Sequence, residues 1–259
     1  MLRKYVRVVT RAPIALGWTL GVHFVIRIRQ ALMPDRWGPH VRRPTDLVGL
    51  WGRGLSKIMG IRIIRINERK GPLGDIIVSN HMGFLDIPVL LSIFPAIFVI
   101  KMEMRKVFYL GQALADHGHI FVERGNKASQ RDAAIGIRKT VRNGDRLIIF
   151  PEGKASPGAE RQPFKSFSFR EAARQKKRIE VCVIDYLPDR KMLEWDTSVH
   201  MVPQLVSLLG RKNTDISIEF FPSEIPEDGE EAALRYQKIV QDKLNEYDRI
   251  KAEKNETSI

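Results

Sequence analysis

The residues most capable of chemistry lie in the stretch "SNHMGFLDIP", residues 79 to 88, where His81 and Asp86 stand five positions apart. A neutral imidazole, with an ordinary pKa near 6.5, can take a proton from an attacking hydroxyl close to pH 7. A carboxylate receiving the ring's other N–H fixes the tautomer and steadies the imidazolium that forms. No enzyme nucleophile is then required, because the acceptor's own hydroxyl can attack a thioester. The competing reading makes Asp86 the cap of a helix that begins at Ile87-Pro88, since Asp before a first-turn proline is a common start signal. Spacing alone leaves both readings open. Other chemistries find less support. Ser79 lacks the G-x-S-x-G elbow of a serine hydrolase, and Cys182 lies in the apolar run "IEVCVIDYLP" as an expected buried thiol. Asp116, His117, His119 and Glu123 lack the helical histidine pair of the usual zinc proteases, so no metal is expected.

A base of this kind needs a scaffold that holds it at an edge. "IRIIRIN", "DIIVSN", "AIFVIK", "HIFVER", "RLIIF", "IEVCVIDYLP" and "DISIEFF" read as strands. "DIPVLLSIF", "KASQRDAAIGIRKTVRN" closed by Asn143-Gly144, "SFREAARQ", "VPQLVSLLG" closed by Gly210, and residues 230 to 254 read as helices. The alternation predicts an α/β fold with a mixed, mostly parallel sheet flanked by helices. Sites in such sheets lie at the carboxyl ends of strands. Three of these ends carry polar residues: Asn80-His81, Glu123-Arg124 and Pro151-Glu152-Gly153. If their strands are neighbours, the ends converge on a base, a cation and a turn whose backbone N–H groups, near Gly153, are expected to steady an oxyanion.

The chain has 259 residues, 44% hydrophobic, enough for one sizeable α/β domain over 61–259 and a smaller attachment over 1–60. A single cysteine excludes an internal disulfide and fits a reducing compartment. The net charge is +13, and residues 1 to 60 hold eleven Lys and Arg against two Asp. Within that basic head, residues 12 to 26 carry no formal charge, and as a helix they would be about 22 Å long, short of the roughly 30 Å of a bilayer core. No small-residue cleavage site follows Ile26. A second stretch, 45 to 61, spaces Leu47, Leu50, Trp51, Leu55, Ile58 and Met59 near helical period. Two amphipathic helices lying in one leaflet, with basic residues on anionic lipid headgroups, are the expected N-terminal, membrane-interfacial segment. The alternative is a helical hairpin packed on the protein's own core. No nucleic-acid recognition motif accompanies the charge, and no nucleic-acid partner is expected.

Four blocks in order, "NHMGFLD", "GHIFVERGN", "FPEGKAS…PFKSFSF" and "IEVCVIDYLP", resemble the glycerolipid acyltransferases, most of all the bacterial 1-acylglycerol-3-phosphate (lysophosphatidic acid) type. The similarity runs from about Ile61 to about Pro222. It implies acyl transfer from acyl-CoA or acyl-acyl carrier protein, as co-substrate and without a cofactor, to a lysolipid at the cytoplasmic face of a membrane. By the resemblance, His81 is the general base and Asp86 its partner. Arg124 binds the acceptor's phosphate, Glu152 and Gly153 shape the acceptor site, and Lys101 adds positive charge. Two positions depart from the pattern. Gly83 stands where serine or threonine is frequent, and Lys154-Ala155-Ser156 replaces the usual threonine and arginine. Either Lys154 or Arg124 compensates for the lost arginine, or the acceptor's headgroup differs, as in another lysophospholipid or a lyso-aminolipid. The rival from another class is a non-catalytic basic membrane-binding protein that keeps this fold.

Overall fold

A computed structural model describes residues 2–33, 45–107, 109–123, 125–155, 162–187, 193 and 201–256. Among the described residues, seven strands form one sheet: β1 (Ile61–Arg65), β2 (Ile76–Ser79), β3 (Ile97–Lys101), β4 (Ile120–Val122), β5 (Leu147–Ile149), β6 (Ile179–Leu187) and β7 (Thr214–Phe220). Their order across the sheet is β1-β7-β6-β2-β5-β3-β4. Every neighbouring pair is parallel except β6 with β7, so β7 and β1 run opposite to the other five. The mixed, mostly parallel sheet is as expected. The central strands are apolar on both faces: β2 and β5 are buried throughout, and β6 along all but its last residue. Such uninterrupted apolar runs suit strands covered by helices on both sides.

The covering helices are α1 (Leu2–Leu32), α2 (Thr45–Met59), α3 (Asp86–Ile93), α4 (Leu110–Asp116), α5 (Lys127–Arg142), α6 (Phe167–Gln175), α7 (Met201–Gly210) and α8 (Gly229–Glu256), with a short 3-10 turn over Met102–Lys106. In α5 the stripe Ala133, Ile137 and Val141 faces inward at four-residue spacing. Asn126 caps that helix by accepting from Ser129 N–H at 3.1 Å, and Asn143-Gly144 ends it, with Gly144 at φ +78°.

The N-terminal helix is longer than its uncharged stretch predicts. α1 runs for 31 residues through Pro13, and by length and composition it is apolar enough to cross a membrane. The arginines do not end it: Arg27 pairs with Asp116 at 3.2 Å, and Arg7 and Arg11 reach backbone carbonyls. Arg7 donates to Gly210 O at 3.0 Å. Arg11 reaches the carbonyls of Met59, Leu209, Arg211 and Lys212, at the carboxyl ends of α2 and α7 where helix carbonyls lack partners. Trp18 Nε1–H donates to Trp51 O at 3.1 Å and Trp51 Nε1–H to Thr19 Oγ1 at 3.0 Å, tying α1 to α2. Val22 and Ile26 of α1, with Val48, Leu55 and Met59 of α2, join the same apolar core as the sheet. Along the other side of α1, Leu16, Leu20, Phe24 and Ile28 recur every four residues and are exposed.

Candidate functional site

β2 ends at Ser79, and Asn80 extends it with a side chain. The Asn80 amide donates to Ile184 O at 2.9 Å and accepts from Ile184 N–H at 2.8 Å, so the side chain completes the ladder to β6. The backbone is thereby free to turn, and His81 emerges at the carboxyl edge of the sheet with its side chain 21% exposed. Phe150, which directly follows β5, stacks on the imidazole with ring centroids 4.0 Å apart and planes 11° from parallel. Phe98 in β3 backs Phe150 at 5.5 Å.

Asp86 is the first residue of α3 and is wholly buried. Its Oδ2 lies 2.8 Å from His81 Nδ1 and also accepts Met82 N–H at 2.7 Å and Gly83 N–H at 3.0 Å. Its Oδ1 accepts the Tyr186 hydroxyl at 2.6 Å. The helix has no side-chain cap, and the carboxylate turns back onto the histidine and the two amides before it. The carboxylate accepts from three other donors, so its contact with Nδ1 is assigned as that nitrogen's N–H donating. Nε2, which has no protein partner among the described residues, is then the nitrogen that can accept a proton from outside.

Of the three strand ends expected to converge, two are adjacent. β2 and β5 pair directly, which sets Pro151-Glu152-Gly153 beside His81. β4 is the edge strand, separated from β5 by β3, so Glu123 lies further off; it is exposed and accepts from Asn126 Nδ2 at 2.8 Å. Arg124 lies outside the described residues. Lys101 closes β3 on the same edge of the sheet, in register with Val122 of β4, and is exposed. Glu152 is buried within the turn and Lys154 is exposed after it. The Gly153 amide is engaged within the turn. Its N–H donates to Phe150 O at 3.0 Å to close the turn. Its φ of +73° needs glycine, and a Cβ there would sit 2.8 Å from Lys165 Nζ.

Sequence reasoning missed Tyr186, Phe150 and Lys165. Phe150 precedes the Pro151 turn and reads only as a strand residue. Tyr186 lies 100 positions from Asp86, and nothing local marks it. Cys182 is buried, as expected, and burial pushes its thiol up to about 12. Among the described residues, no group of three or more His, Cys, Asp or Glu is placed to hold a metal ion.

Residues 63–189, which contain His81, Asp86 and the turn at Glu152, match the family model described as Acyltransferase. The match makes these residues similar to that family. The chain is 24% identical over 208 residues to the lyso-ornithine lipid O-acyltransferase of Rhizobium meliloti (strain 1021), covering 73% of this chain and 67% of that protein. It is 26% identical over 122 residues to the 1-acyl-sn-glycerol-3-phosphate acyltransferase of Neisseria meningitidis serogroup B, covering 47% of this chain and 48% of that protein. The crystal structure of the 1-acyl-sn-glycerophosphate (LPA) acyltransferase PlsC from Thermotoga maritima superposes with a TM-score of 0.68 at 18% identity, over 95% of this chain and 96% of that one. That likeness shows the fold.

Proposed function

We propose that the protein transfers a fatty acyl group from a thioester, acyl-CoA or acyl-acyl carrier protein, to the free hydroxyl of a lysolipid. The observation that carries this reading is His81, ring-stacked on Phe150 and fixed at Nδ1 by a buried carboxylate, with Nε2 open at the sheet edge. In this reaction the lysolipid oxygen forms a bond to the thioester carbonyl carbon while its proton passes to Nε2. The C–S bond then breaks, and the proton returns to the departing thiolate. Arg124, Lys101 and Lys154 are the cations assigned to the acceptor's headgroup, and Glu152 and Gly153 shape the turn beneath it.

The block resemblance favours 1-acylglycerol-3-phosphate as acceptor, giving phosphatidic acid. A second acceptor, lyso-ornithine lipid, is favoured by two observations. The relative bearing that name aligns over 208 residues against 122 for the glycerophosphate enzyme of Neisseria meningitidis, and Lys154-Ala155 stands where a phosphate-binding arginine is usual. We further propose that 1–60 is the membrane-anchoring unit and 61–259 the catalytic one. In this arrangement α1 lies in the interface at the cytoplasmic face, with Leu16, Leu20, Phe24 and Ile28 turned to lipid.

The deciding experiment measures thiol release by purified protein in liposomes with each acceptor, beside His81→Ala. Transfer to either lysolipid, lost in a folded His81→Ala, is expected. Substantial transfer by that variant removes the base from the mechanism. Liposome binding without transfer for any donor and acceptor leaves a non-catalytic membrane protein.

A further inference from the structure

Asp86 has one partner to which the reaction above gives no role. Tyr186 lies near the end of β6, wholly buried, and directs its hydroxyl at Asp86 Oδ1 at 2.6 Å. The opposite oxygen carries the histidine and the two amides. The tyrosine is itself held from behind the strand. Lys251 Nζ in α8 donates to the Tyr186 carbonyl at 3.0 Å and pairs with Asp185 Oδ2 at 2.6 Å. Asp185 Oδ1 in turn accepts Tyr186 N–H at 2.9 Å. In register, Tyr186 faces Ile216 of β7, so its backbone is fixed on both sides.

We infer that Tyr186 is a positioning residue for the dyad: its hydroxyl sets the orientation and the proton affinity of His81 by way of Asp86. The inference rests on the reading of His81 as general base. A donor to one carboxylate oxygen draws charge from the other and weakens its hold on an imidazolium N–H. Removing that donor therefore lets Asp86 stabilise the charged ring more strongly. The base then keeps its proton to higher pH, while the carboxylate loses the contact that fixes its rotation. The other ionisable groups on the elements that meet here are Cys182 on β6, which interacts electrostatically with Asp86, Glu152 in the turn after β5, Lys165 near Gly153, and Asp185 paired with Lys251. None of them changes in the substitution Tyr186→Phe, which removes one oxygen and keeps the ring.

Two readouts test this, one kinetic and one independent of turnover. In Tyr186→Phe the acidic limb of the kcat/KM profile is expected to move up by roughly half a pH unit, and kcat to fall about tenfold. KM for the lysolipid stays within about twofold, because Tyr186 does not reach substrate. The low-field NMR resonance of the His81 Nδ1 proton, assigned by its absence in His81→Ala, should move further downfield in Tyr186→Phe as the competing donor is lost. A site-specific 3-fluorotyrosine at 186, a stronger donor, should shift both readouts the other way and covers the case in which the phenylalanine variant fails to fold. A profile and resonance that superimpose on the wild type, or a loss confined to thermal stability, overturns the inference. If wild-type protein shows no acyl transfer, the reading of the base fails on its own. The Nδ1 resonance still decides whether Tyr186 controls the dyad.

Discussion

At the scale of single residues, the site is a short local motif completed by one distant side chain. Asp86→Asn keeps the size of the side chain but presents an amide to His81 and to the Met82 and Gly83 N–H groups, so the histidine loses its fixed tautomer. A fall in kcat on the order of 10^3 to 10^4 is expected. A variant within tenfold of wild type would return Asp86 to a structural role. Gly153→Ala forces a left-handed backbone on a side chain that also meets Lys165, costing about 1–2 kcal/mol in denaturant unfolding. The contact between His81 and Asp86 spans five positions, so spacing could suggest it, and Pro151-Glu152-Gly153 reads as a turn from its residues. Tyr186 was not legible, since β6 is buried on both faces and its pattern gives no sign of which face meets α3.

At the scale of elements, what fixes the dyad is how closely α2 lies against α3. Gly52 faces α3 so tightly that a Cβ would lie 2.8 Å from Pro88 O and from Ser92 N, and Gly49 meets Pro95 in the same way. α3 begins with Asp86, so this smooth glycine face helps set where the carboxylate stands. Gly52→Val is expected to push the two helices apart, lower stability by about 1–3 kcal/mol and reduce kcat in a protein that still binds liposomes. Unchanged kcat with reduced stability would separate the helix contact from the site. Most strands and helices were legible from period and turn residues, and α5 was even bounded correctly by Asn143-Gly144. The extent of α1 was not. Arg11, which marks one edge of an apolar stretch in sequence, serves here to cap other helices, a use visible only once Met59 and Leu209 are brought beside it.

At the scale of the whole molecule, the same N-terminal helices face two environments. Deleting residues 1 to 60 would strip Val22, Ile26, Val48, Leu55 and Met59 from the core, so the anchoring proposal is better tested at the surface. Leu20→Glu with Phe24→Glu is expected to release folded protein from anionic liposomes in a flotation assay; retention would place the lipid contact elsewhere. Acid should weaken the molecule for a separate reason. Burial lowers His117 to about 4 and His119 to about 3, and His119 Nδ1 accepts Phe98 N–H at 3.0 Å only while unprotonated. Both histidines are neutral when folded and gain protons near their ordinary pKa of about 6.5 when unfolded. Stability is therefore complete above that pH and declines as pH falls toward 4 and 3, by up to about 1.4 kcal/mol per pH unit for each group. Urea unfolding that is equally hard at pH 7 and pH 5 would contradict this.

The strand order carries a consequence for how the molecule is made. β1 follows the two N-terminal helices directly, yet it pairs with β7, with Arg62 and Asp215 bonded across 153 positions of chain. During translation the first strand therefore leaves the ribosome long before β7, its sheet neighbour among the described residues, exists. Until then the apolar helices ahead of it have neither β7 nor α7 to rest on, and the faces that will meet them stay uncovered while the rest of the chain is made.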